Sequence, residues 1–130
     1  MKLSFSSARD ESTAAREAVS DVIAQSNGSD LLILFSSDFY DQSKLLSHTL
    51  ELADVVVGCS TAGVMSERGL INDIGVISLK GFKAKTKLVV RTGLKIGQEV
   101  GKTFTDLRNG TVFVFPDGLR VSSLSLRVLV

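Results

Sequence analysis

Residues 30–35 read Asp-Leu-Leu-Ile-Leu-Phe, and residues 31–35 are the longest unbroken apolar run in the chain. A short continuous run of this kind is typical of a strand that other elements cover on both faces. Asn27 and Gly28 precede it, and residues of these types end helices and form turns. We therefore expect a buried central strand here, with helices packed around it.

Outward from this run, strands and helices alternate. Residues 2–7 alternate apolar and polar side chains, as a strand with one buried face does. Apolar residues recur at helical spacing in residues 10–25 and 42–53, and residues 54–59 contain the second buried run, Val-Val-Val. Helices between buried strands imply parallel neighbours joined by right-handed crossovers.

The second half of the chain has a different pattern. Residues 74–80 and 82–91 read as two strands joined by a tight turn, which predicts an antiparallel hairpin. A helix is predicted over residues 94–107 and a buried strand over residues 111–115. The expected fold class is α/β: a mixed sheet with a parallel βαβαβ start, an antiparallel hairpin, and helices packed on the sheet.

Composition excludes several classes of protein. The chain is 44% hydrophobic with a net charge of +1, which excludes intrinsic disorder. Its 130 residues predict a single domain, residues 1–130, with one core. No apolar run approaches the roughly 18 residues that span a membrane, and the first ten residues carry no secretion signal, so we expect a cytoplasmic protein. The single histidine, His48, and the single cysteine, Cys59, predict neither a metal site nor a cofactor.

Small polar residues follow three of the predicted strands. In open α/β sheets, ligands bind beyond the carboxyl ends of the strands. The turn between Gly58 and Gly63 is the richest of the three, because two glycines allow close backbone approach and Ser60 and Thr61 add hydroxyls. The alternative is a loop that only changes the direction of the chain. The candidate ligand-binding residues are Ser36, Ser37, Gly58, Cys59, Ser60, Thr61, Ala62, Gly63 and Asp117.

One stretch within this set carries a family resemblance. Residues 56–63, Val-Val-Gly-Cys-Ser-Thr-Ala-Gly, resemble the signature of the FIST domain (F-box and intracellular signal transduction). Residues 31–37 and 75–79 resemble the strands before and after it, and residues 113–118, Phe-Val-Phe-Pro-Asp-Gly, resemble a later strand with its turn. The resemblance covers residues 14–118 and implies a sensory module of bacterial signal transduction that binds small molecules such as amino acids.

The resemblance also raises the question of what covers the end of the chain. The N-terminal FIST domain continues past the Asp-Gly element, and a C-terminal domain usually follows it. Residues 119–130 do not match the family pattern, and they end in an apolar Val-Leu-Val. We expect a chain that is incomplete at its C-terminus, covered by that missing domain or by a second copy in a homodimer.

For an amino-acid ligand, complementary charges suggest roles for the candidate residues. Ser60 and Thr61, with nearby backbone N–H groups, would bind the carboxylate. Asp117 or Asp38 would bind the ammonium group. Such binding is reversible and neither makes nor breaks a covalent bond, so the chain is not expected to be an enzyme.

Two alternatives belong to other functional classes. Cys59 follows a buried strand, where a nest of N–H groups can lower a thiol pKa and create a nucleophile, although free cysteines commonly pack as small hydrophobes. The other alternative is a truncated scaffold that binds nothing. The basic row Lys83, Lys85, Lys87 and Arg91 does not predict nucleic-acid binding, because no aromatic residues are interleaved with it. Such charges more often protect the edge of a sheet.

Overall fold

The computed structural model describes residues 1–67, 69–71, 73–90 and 95–116. The chain divides into two compact units, Met1–Thr86 and Lys87–Val130, called here the N-terminal and C-terminal units. Among the helices of the described residues, none combines the length and apolar character needed to cross a membrane. Residues 119–130, for which we predict cover by a further domain or a second copy, lie outside the described residues.

The N-terminal unit contains a mixed four-stranded sheet and a small hairpin. Its elements are β1 (Lys2–Ser6), α1 (Glu11–Ser26), β2 (Leu31–Ser37), α2 (Gln42–Leu50), β3 (Val56–Thr61), β4 (Val64–Ser66), β5 (Gly69–Ile71) and β6 (Ile74–Leu79). The strand order in the sheet is β1-β6-β2-β3, and β4 pairs with β5. Because β6 runs antiparallel to both β1 and β2, while β2 and β3 are parallel, β1, β2 and β3 all run the same way. The predicted α/β class with a mixed sheet and a parallel start is confirmed.

The core lies between α1 and one face of the sheet. Strand register places Leu34 beside Val76, and both belong to a buried cluster with the apolar side of α1. Polar contacts attach the outer strand β1 to the same helix: the Ser4 hydroxyl donates to Asp21 at 2.6 Å, and the Ser6 hydroxyl donates to Glu17 at 2.6 Å. Helix α2 packs against α1 on this face. The cluster comprises Ala14, Ala15, Ala18, Val19, Val22, Leu32, Leu34, Tyr40, Leu45, Ile74 and Val76.

The position of the antiparallel pairing differs from the prediction. Strand β6 forms within the predicted residues 74–80, but residues 82–90 contain no regular secondary structure, so the predicted pairing between these two segments is wrong. The reason is that β1 and β2 already occupy both edges of β6. The Asp30 carboxylate also accepts hydrogen bonds from the backbone N–H groups of Gly81 and Phe82, which fixes the chain as it leaves β6. The hairpin that does form is β4–β5.

The C-terminal unit contains one helix, α3 (Lys95–Thr103), in its described part. It is shorter than the predicted 94–107. Residues 111–115, predicted as a buried strand, have no regular secondary structure, and Val112, Phe113 and Val114 are exposed.

At Gly58, β3 lies too close to its parallel neighbour β2 to leave room for a side chain. A Cβ atom built on Gly58 would lie 1.8 Å from the backbone oxygen of Leu34. No side chain fits there, and the obstructing atom belongs to the central strand, which cannot move without disturbing its pairing with β6. Glycine is therefore required by packing at this position, not only by the turn that follows.

Gly58→Ala is expected to lower the free energy of unfolding by about 3 kcal/mol, because the methyl group must push β3 away from β2. Urea denaturation would measure the loss. Gly101→Ala is the control, because a Cβ atom there meets nothing within 4 Å. An unchanged midpoint for Gly58→Ala would show that β3 pairs differently.

Backbone hydrogen bonds to carboxylates define the N-terminal ends of both helices in this unit. Asp10 caps α1 and accepts a hydrogen bond from the Thr13 backbone N–H at 2.9 Å, which lowers the pKa of Asp10. Glu11 accepts a hydrogen bond from the Asp41 backbone N–H at 2.8 Å, which lowers the pKa of Glu11. The second contact connects the beginning of α1 to the cap of α2.

These lowered pKa values predict an acid-sensitive contribution to stability. A carboxylate whose pKa is lower in the folded state stabilises the fold above its unfolded pKa, and the contribution is lost as the pH falls through the folded pKa. Asp10→Asn retains a capping residue without the charge, so its melting temperature should fall less steeply than that of the wild type from about pH 5 to 3. Asp54→Asn, which removes another exposed carboxylate, is the control for the loss of one negative charge. Equal slopes for Asp10→Asn and the wild type would contradict the assignment.

Candidate functional site

The candidate site lies where β2 and β3 end side by side. The register pairs Ser36 with Ser60 and Ser37 with Thr61. Beyond the strands, the backbone N–H of Asp38 donates to the Thr61 carbonyl at 2.9 Å, so the two chains leave the sheet together. The structure thus brings two of the three predicted strand ends to one place. Asp117, from the third, lies outside the described residues.

Ser36 and Ser37 are buried and already hydrogen-bonded. The Ser36 hydroxyl donates to the Gln42 side chain at 2.6 Å, and the Ser37 hydroxyl accepts from the Phe39 backbone N–H at 3.1 Å. Their exposed fractions are 1% and 0%. These two hydroxyls stabilise the loop that connects β2 to α2. They therefore support the conformation of the site and are not themselves available to a ligand.

Gly58, Cys59 and Ser60 are exposed because β3 is an edge strand. The carbonyls of Val55 and Thr61 accept hydrogen bonds from residues of β2 and the loop after it. Backbone groups of successive strand residues face opposite sides, so the N–H groups of Gly58 and Ser60 point away from β2. No strand pairs with that edge in the ranges described above. Two hydrogen-bond donors are therefore open to a ligand.

Thr61 shapes the turn after β3. Its hydroxyl donates to the Gly63 carbonyl at 2.7 Å and accepts from the Gly63 backbone N–H at 3.3 Å. The half-buried side chain therefore holds the turn closed, while Ala62, at its tip, is exposed. The Thr61 hydroxyl therefore stabilises the conformation of the turn.

A hollow of about 200 Å³ lies beside this turn. It is lined by Phe35, Thr61, Gly63, Val64 and Met65. Phe35 alternates with the core residue Leu34 along β2, so the hollow lies on the face of the sheet opposite α1. Sequence reasoning selected Thr61 and Gly63 but missed the other three residues. The available signal was the apolar pair Val64-Met65 directly after the turn.

Cys59 does not have the environment of an activated nucleophile. The residue is exposed as a whole, yet surrounding protein atoms desolvate its sulfur, and this burial raises the pKa of the thiol. His48 lies on α2 with its Nδ1 atom 3.7 Å from the Glu51 carboxylate. In the part of the chain that the structure describes, no cluster of three His, Cys, Asp or Glu side chains could hold a metal ion.

Alkylation tests the state of this thiol. Because the raised pKa leaves Cys59 protonated at neutral pH, iodoacetamide should modify it more slowly than free cysteine at pH 7, and faster as the pH rises. Mass spectrometry follows the reaction, with Cys59→Ser as the unlabelled control. Modification faster than free cysteine at pH 7 would instead support the thiol-enzyme alternative.

Comparison with known proteins assigns the chain to a family. The sequence model of the FIST N domain matches residues 30–127, a range that begins just before β2 and includes every residue of the hollow. No curated protein and no solved structure matches the chain. Since the matched range covers well over half of the sequence and agrees with the resemblance carried by residues 56–63, the chain belongs to the FIST N domain family.

Proposed function

We propose that this chain binds a small molecule reversibly in the hollow beside Thr61. The FIST domain is a family of sensory domains in signal transduction, which gives the general role. The observation that carries the specific proposal is the hollow itself, open at the carboxyl ends of the parallel strands β2 and β3. Ligand sites of open α/β sheets lie at such ends.

Amino acids and related small carboxylates are the ligand class that we propose. The outward N–H groups of Gly58 and Ser60 are suited to carboxylate oxygens, because backbone donors can bind anions. Asp38 is exposed and follows β2 at the same end of the sheet, and we propose that its carboxylate attracts the ammonium group of the ligand. These N–H donors and the Asp38 carboxylate therefore prefer opposite charges.

Binding without chemistry is the mode that we propose. The raised pKa of Cys59 disfavours a thiolate, and reversible occupancy is what a sensor requires. We place the domain in the cytoplasm. We propose that its output passes to a C-terminal domain or a second copy, consistent with the exposed apolar residues Val112, Phe113 and Val114 in the C-terminal unit.

A thermal-shift screen of amino acids and small carboxylates tests this function. A ligand at 100 times its dissociation constant adds about 2.7 kcal/mol to the free energy of unfolding, which raises the melting temperature by several degrees. Thr61→Val removes the hydroxyl that holds Gly63, and this variant should lose most of that response. Thr61→Ser keeps the hydroxyl and should retain it.

Two results would contradict the proposal. If no amino acid or carboxylate raises the melting temperature of the wild-type protein, the ligand class is wrong. If Thr61→Val responds as the wild type does, the ligand binds away from the turn.

A further inference from the structure

We propose that the hollow receives an apolar side chain of the ligand, so that the domain prefers amino acids with uncharged aliphatic side chains. This inference rests on the proposed function and adds a specificity to it. Three observations support it. They are the composition of the lining of the hollow, the packing and exposure of Val64 and Met65, and the distribution of polar groups nearby.

The lining of the hollow is mainly apolar. Three of its five lining residues, Phe35, Val64 and Met65, are apolar, and Gly63 has no side chain. The one hydroxyl, from Thr61, already both donates to and accepts from Gly63. Among the described residues, no charged side chain lines the space. A polar ligand side chain placed here would exchange water for mainly apolar neighbours, which disfavours its binding.

Val64 forms a fixed wall. It is only 8% exposed, although it begins a short hairpin at the surface. A Cβ atom built on Gly75 would lie 3.2 Å from a Val64 methyl group and 3.1 Å from the Phe5 ring. Val64 therefore packs against β6 beside Phe5, where glycine leaves just enough room for it. This packing fixes one side of the hollow before a ligand arrives.

Met65 lies at the exposed rim of the hollow. Its exposed fraction is 83%, an unusual position for an apolar side chain at the rim of a hollow. Methionine is unbranched and adapts its shape to a neighbouring apolar group. An aliphatic ligand side chain would cover part of Met65 and bury apolar surface that the free protein leaves in water.

The polar ends of an amino acid would remain outside the hollow. The open N–H groups of Gly58 and Ser60 lie on the edge of β3, and Asp38 follows β2. A bound amino acid would therefore place its side chain among apolar groups while its carboxylate faces the N–H of Ser60, the donor next to Thr61. This separation is the physical basis of the proposed specificity.

Calorimetric titration with leucine and asparagine provides a direct test. The two side chains have the same number of heavy atoms and branch at the same carbon, and they differ mainly in polarity. Leucine should bind at least about tenfold more tightly, because asparagine would bury an amide among mainly apolar neighbours. Equal affinities, or tighter binding of asparagine, would overturn the inference while leaving the proposed function intact. Absence of binding by every amino acid would overturn both.

Met65→Ala separates binding from folding. Because Met65 is exposed in the free protein, this change should leave the melting temperature nearly unaltered, yet weaken leucine binding about tenfold by removing its apolar cover. Leu70→Ala is the matched control: Leu70 pairs with Met65 across the hairpin and is 73% exposed, but does not line the hollow. Unchanged leucine binding in Met65→Ala, or an equal loss in Leu70→Ala, would contradict the proposed contact.

Discussion

The contact between Gly58 and the backbone of Leu34 determines where the site can form. Because there is no room for a side chain at Gly58, β3 lies directly against the central strand β2. Their parallel register then ends both strands at the same level, with Ser37 beside Thr61. The Asp38–Thr61 backbone hydrogen bond keeps the two departing chains together. A shift of β3 by one residue would move each of its side chains to the other face and remove the hollow.

Polar groups that support the site differ from those that remain available to a ligand. The hydroxyls of Ser36, Ser37 and Thr61 all have protein partners, and they set the conformation of the loops. In the described part of the chain, the open donors are backbone N–H groups on the outer edge of β3, and the surface of the hollow is mainly apolar. The protein's own hydrogen bonds therefore fix the loops of the site, while backbone donors and an apolar surface are available to a ligand. This combination is suited to reversible binding of a small molecule.

Much of this arrangement follows from local sequence. The apolar run in residues 31–35 identified the central strand β2, and Asp10 and Asn27 marked the ends of α1. The insertion of β6 between β1 and β2 could not be predicted in the same way, because strand pairing depends on contacts distant in sequence. Residues 82–90 alternate like a strand, yet both edges of β6, the strand before them, are already paired with β1 and β2.

The candidate site was predictable only in part, for a related reason. Glycines and hydroxyl residues marked the turn after β3, but the hollow also needs Phe35 from another strand and the wall formed by Val64. Val64 becomes a wall because Gly75 leaves space beside Phe5, and these three residues come from three different elements. Their meeting is a property of the tertiary fold.

An NMR titration of the ¹⁵N-labelled protein with leucine tests the central claim most directly. The account predicts that amide resonances of Thr61, Gly63, Val64 and Met65 shift with a common saturation curve, while those of the α1 core, such as Val19, remain in place. Shifts confined to residues far from this turn, or none at millimolar leucine, would contradict it.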